Sequence, residues 1–138
     1  MKRDKNIKEL ELLKDSYDKM KEFYFILLQW IYVHQQGMTL AEYFISNRFE
    51  RIAIYGTKEL GLSLMRELRG TEIRVDYFID KNDIIEIDGI KTVKPEDNIK
   101  SVDVIVVTSV HYFSDIREEL RNRTDSKVVS IEDVIFSL

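Results

Sequence analysis

Along the first 36 residues, apolar side chains recur at steps that alternate between three and four. Leu10, Leu13, Tyr17, Met20, Tyr24, Leu27 and Ile31 follow one another in this way, and His34 closes the series. That spacing keeps one helical face apolar, so it predicts a long helix from about Lys5 to Gln36, with Gly37 placed to cap its end. The first half is amphipathic. From Phe23 to Val33, however, the segment is apolar nearly all round, and a single contact face would leave Phe25, Trp30 and Val33 in water. Such a helix calls for two neighbours. One is the body of the domain, and the simplest second one is the same helix from another chain, so a homodimer through this helix is expected. The alternative is an internal helix packed under its own domain. His34 reads as a boundary residue of the stripe. Beyond Gly37, Thr39-Leu40-Ala41-Glu42 has the form of a capping box opening a short helix to about Asn47, with Leu40, Tyr43 and Phe44 turned back onto the body.

After Arg51 the pattern changes to short apolar runs alternating with helical spacing, the mark of β-α-β units. Strands are predicted at Ile52 to Tyr55, Ile73 to Ile79, Val102 to Val107 and Lys127 to Ile131, with helices at Leu60 to Leu68, Phe113 to Arg123 and Glu132 to Leu138. Ile84 to Ile87 and Ile90 to Val93 form a hairpin around Asp88-Gly89, a pair suited to positive φ. Pro95 opens a short helix or turn. The fold expected is α/β, a Rossmann-like parallel sheet with flanking helices, preceded by a long N-terminal helix. Residues 1–50 are a helical extension for dimerisation or docking, and residues 51–138 a Rossmann-like nucleotide-binding domain.

A chain of 138 residues is long enough for one such domain and its extension. With 21 Lys and Arg against 25 Asp and Glu the net charge is -4, which speaks against a nucleic-acid partner. There is no cysteine, hence no disulfide framework, thiolate nucleophile or Cys-based zinc site. Acidic residues from Asp4 to Glu22 break up the apolar stretch a signal peptide needs, and the run from Phe23 to Val33 is shorter than the roughly 20 residues of a spanning helix. A cytoplasmic protein with no membrane span is expected.

Candidate chemistry gathers where strands end. Between the first strand and its helix the chain reads Gly56-Thr57-Lys58-Glu59-Leu60-Gly61, the dinucleotide fingerprint with Lys58 in place of its middle glycine. Gly56 permits the tight turn and Gly61 close packing of helix on strand, while Lys58 narrows the space for a pyrophosphate and adds a positive charge beside a helix start. Asp80 ends the second strand where an acid binds a ribose hydroxyl pair, with an ordinary turn acid before Asn82 and Asp83 as the plainer reading, and Lys81 beside it suits an extra phosphate or is a solvated charge. Thr108 and Ser109 leave the strand Val102 to Val107 on the same edge and can donate to phosphate or ribose oxygens. His111 follows, the side chain there whose ordinary pKa lies nearest neutrality, with a loop histidine as the plainer reading. The ligand-binding set is thus Gly56, Thr57, Lys58, Gly61, Asp80, Lys81, Thr108, Ser109 and His111. No catalytic residue and no metal ligand is assigned. The Tyr-x-x-x-Lys spacings at Tyr17/Lys21 and Tyr77/Lys81 fall outside the context a short-chain dehydrogenase needs and read as chance.

The strings Ile52-Ala53-Ile54-Tyr55-Gly56, Glu59-Leu60-Gly61, Tyr77-Phe78-Ile79-Asp80-Lys81 and Val104-Ile105-Val106-Val107-Thr108 resemble the Rossmann-type domains of bacterial surface-polysaccharide biosynthesis. They are also similar to the N-terminal domains of membrane-associated nucleotide-sugar dehydratases and of sugar acyltransferases. The resemblance covers about residues 51 to 138 and implies a module that binds NAD(P) or a nucleotide sugar, beside a glycosyltransferase or sugar-nucleotide enzyme. Two alternatives remain: a ligand-free interaction or dimerisation protein on a degenerate Rossmann fold, or part of a sugar-nucleotide-modifying enzyme.

Overall fold

A computed structural model describes residues 2–138. Helix α1 spans Lys2–Gln35 and ends at Gly37, whose φ of +78° is the left-handed conformation that suits glycine. After it come α2 (Ala41–Ser46), β1 (Arg51–Tyr55), α3 (Glu59–Leu68), β2 (Arg74–Ile79), the hairpin β3 (Glu86–Ile87) and β4 (Ile90–Val93), β5 (Val104–Val107), α4 (Phe113–Leu120), β6 (Lys127–Ser130) and α5 (Ile131–Phe136). The hairpin turns on Asp88 and Gly89, both at positive φ as their sequence requires. Pro95 lies in a turn.

The strands form one sheet in the order β3-β4-β2-β1-β5-β6, parallel throughout except for β3 against β4. Order reverses at β1, because the chain moves to β2 on one side and later crosses to β5 on the other. Strand alternation sorts the core into two layers. Ile52, Ile54, Val104 and Val106 point to the face covered by the end of α1, α2, α3 and α5, whereas Ala53, Tyr55, Ile105 and Val107 point to the face covered by α4. Side chains buried on both faces explain why β1 and β5 read as continuous apolar runs.

The alternating stripe on α1 does not meet the body. Ile26, Trp30 and Val33 do so instead, with Ile26 only 1% exposed, while every apolar member of the stripe from Leu10 to Ile31 is exposed, Met20 by 73%. The reason lies in Glu67 of α3. Its carboxylate accepts from Trp30 Nε1 at 2.8 Å and from the Leu40 backbone N–H at 2.7 Å, and His34 Nε2 sits 2.5 Å away. These contacts turn the Trp30 face inward. They also replace the capping box expected at Thr39 and Glu42: α2 has no side-chain cap, and Glu67 satisfies the Leu40 N–H in its place. Leu40 and Phe44 are buried and Tyr43 packs against the same core, as the spacing of α2 predicts. Among the described residues, no helix is long and apolar enough to cross a membrane.

Candidate functional site

The carboxyl edge of the sheet, at the reversal in strand order, is where open α/β sheets form ligand crevices. Two glycines shape it. Gly56 leaves β1 with φ of +111°, and a Cβ there would stand 2.3 Å from Thr108 Oγ1. A Cβ on Gly61 would stand 2.0 Å from the Gly56 carbonyl oxygen, so α3 can lie against the end of β1 only without a side chain at that position. Thr108 locks the other side of the turn, its backbone N–H and its hydroxyl both donating to the Tyr55 carbonyl, at 2.9 and 2.7 Å.

A cavity of about 580 Å³ opens at this edge, within the usual range for small-molecule sites. Gly56, Thr57, Lys58, Asp80, Lys81, Thr108, Ser109 and His111 all line it, so the sequence-derived set converges in space; Gly61 lies behind, holding the turn. Lys58 stands exposed at the start of α3, beside backbone N–H groups that have no intrahelical acceptor. That end of the cavity favours an anion.

Asp80 is 7% exposed and its carboxylate is already engaged. Oδ2 accepts from the Thr57 N–H at 3.2 Å and the Thr57 hydroxyl at 2.7 Å, while Oδ1 accepts from the Asn82 N–H at 2.8 Å and Asn82 Nδ2 at 2.9 Å. The acid therefore ties the β1–α3 turn to the end of β2, and a ribose hydroxyl would have to displace one of these donors. Lys81 reaches Glu119 on α4 at 3.7 Å. His111 is held by α1, Nε2 facing Asp15 Oδ1 at 3.0 Å and Nδ1 facing Glu22 Oε2 at 3.3 Å. Lys19 of α1 pairs with Asp15 at 3.1 Å and lies over the Tyr112 ring; together with His111 it holds the Asp15 carboxyl below its ordinary pKa, Lys19 having the larger effect.

Three contributors have no clear mark in the sequence. Tyr55, the last residue of β1, lines the cavity while only 4% exposed, and its hydroxyl has no partner among the described residues. Burial, with smaller contributions from Glu119, Asp80 and Glu96, pushes its pKa up to about 12. Asp115 and Glu119 bring carboxylates from α4, and Lys19, Glu22 and Phe23 make α1 a wall of the cavity. A tyrosine ending an apolar strand resembles core, and a helix 30 residues upstream gives no local hint that it will close the site. The discounted Tyr77/Lys81 spacing is occupied otherwise, since the Tyr77 hydroxyl donates to the Lys100 carbonyl.

Fold and cavity together define an α/β domain with a mostly parallel sheet and a crevice at its carboxyl edge in which charged side chains stand among largely apolar surface. The chain belongs to the family described as C2185-like, N-terminal, which matches residues 48–129, from the turn before β1 to β6. No curated protein matches it.

Proposed function

We propose that this chain is a Rossmann-like nucleotide-binding module that takes a nucleotide sugar or NAD(P), and that its setting is bacterial surface-polysaccharide biosynthesis, as the resemblance implies. The cavity at the strand-order reversal carries the reading, with Lys58 and the start of α3 at one end and, in its wall, Tyr55, whose buried hydroxyl has no partner among the described residues. A buried hydroxyl without a partner costs about 1–3 kcal/mol, a cost that a polar ligand atom would remove. Lys58 and the α3 N–H groups suit a phosphate. The fit to NAD(P) is poorer, because Lys58 stands where the fingerprint has glycine and the Asp80 carboxylate has no lone pair free for a ribose diol. Nucleotide sugars are therefore the preferred class, with Asp115 and Glu119 as acceptors for hydroxyl groups.

The test is a thermal-shift and calorimetric titration with UDP-sugars, NAD and NADP. A ligand at 100 times its Kd stabilises the folded chain by about 2.7 kcal/mol. Lys58→Ala should weaken a phosphate-bearing ligand roughly tenfold. Asp80 makes a poor probe, since its loss also releases Thr57 and Asn82. Absence of any shift at millimolar nucleotide would overturn the reading. It would favour instead the interaction protein on a degenerate fold, the alternative to which the saturated Asp80 carboxylate points.

A further inference from the structure

Among the described residues, the outward face of α1 is exposed along its length. Lys2 to Lys14 are all exposed, so more than three turns of helix stand clear of the body. A helical stretch of that length is marginal in water by itself. Its apolar positions nevertheless continue without a break into the segment that does touch the body. The steps of three and four from Leu10 to Ile31 form the seam of a two-stranded coiled coil, with Leu10, Tyr17, Tyr24 and Ile31 alternating with Leu13, Met20 and Leu27. Each is 36% to 73% exposed. At roughly 100 Å² per exposed side chain, the seam with Phe25, Leu28 and Tyr32 offers an area comparable to the about 800 Å² each partner buries in a standard interface.

We infer that this face pairs with α1 of a second copy in a parallel, in-register coiled coil. Three observations select that occupant. In a parallel pair each residue flanking the seam on one side meets the residue five positions later on the other helix, which sets Glu9 against Lys14 of the second copy. An antiparallel pair would instead lay the wide apolar half, with Phe25, Leu28 and Tyr32, against the charged half around Glu9 and Lys14. Third, an open groove of about 480 Å³ runs between α1 and α3, lined by Trp30, Ile31, His34, Ser63 and Glu67. It lies on the side of the seam that the second copy's Leu28 and Tyr32 approach in the parallel arrangement, so apolar side chains outside the seam gain a place to pack. Both copies keep Lys19, Glu22 and Phe23 on the opposite side, facing their own cavities.

Sedimentation of the whole chain at micromolar concentration should give twice the 16.4 kDa of one chain, and Leu13→Glu with Met20→Glu should return it to one. Both positions are exposed in the single chain, so an unchanged unfolding midpoint in dilute solution shows that the variant still folds. Orientation is read separately. Because the chain has no cysteine, Leu13→Cys introduces a lone thiol, and parallel register brings the two copies together as an oxidised cross-linked dimer. A monomer at 100 times that concentration, an oligomer larger than two, or a dimer in which Leu13→Cys fails to cross-link would each overturn the proposal.

Discussion

The carboxyl edge of the sheet and the outward face of α1 are unsatisfied in opposite senses. At the edge a polar group, the Tyr55 hydroxyl, is buried without a hydrogen-bond partner; on the helix, apolar side chains such as Met20 stand in water without a packing partner. The first kind of deficit is local and directional, and one well-placed atom removes it. The second is spread over several turns and has no direction, so only an extended apolar surface removes it. The two proposals accordingly assign a small ligand to the edge and a second protein chain to the helix, and α1 joins the two, with Lys19 and Glu22 on one side and the seam on the other. The regions also differ in what holds them. The edge is locked by Gly56, Gly61, Asp80 and Thr108, whereas the seam side chains are exposed along α1.

That contrast can be broken by substitution. The largest effect belongs to the locked edge: Gly61→Val places carbon against the Gly56 carbonyl and should cost more than about 3 kcal/mol in urea unfolding, or prevent folding. Glu67→Ala should follow at about 2–3 kcal/mol, because the buried Trp30 N–H and the Leu40 N–H lose their acceptor, and it should loosen the docking of α1. Tyr55→Phe sharpens the comparison. It removes an unpartnered hydroxyl, so the free chain should be unchanged or gain about 1 kcal/mol while a bound nucleotide is held less tightly, an opposition of sign that a core role for Tyr55 would not produce. Met20→Glu should be smallest in stability, within about 0.5 kcal/mol in the monomer, with its effect confined to mass.

A pH scan tests the edge independently. Tyr55 and Tyr77 are both raised to about 12 from an ordinary value of 10.0, chiefly by burial. A folded-state pKa above the unfolded one gives stability that is whole below pH 10 and lost as pH rises toward 12. Urea midpoints should therefore fall across that interval, and Tyr55→Phe should reduce the fall.

Much of this was legible along the chain. The period-two and period-3.6 patterns place every strand within two residues and every helix within three, because burial follows element geometry closely. Gly56-x-x-x-x-Gly61, Asp80 and Thr108 mark the sheet edge along the chain, since glycine demands and strand-end polar residues are local properties. Which face of α1 turns inward was not legible. Both faces between Phe23 and Val33 are apolar, and the choice rests on Glu67, 37 residues from Trp30. The same distance effect hides the engagement of the Asp80 carboxylate, the loss of the Thr39 cap, the orphaned Tyr55 hydroxyl and the wall that α1 builds. Local backbone preference and periodic burial, both readable along the chain, set the elements, their order and the residues gathered at the edge. Tertiary structure alone decided which polar groups find partners and which surfaces stay bare, because pairing depends on contacts between residues far apart in the chain.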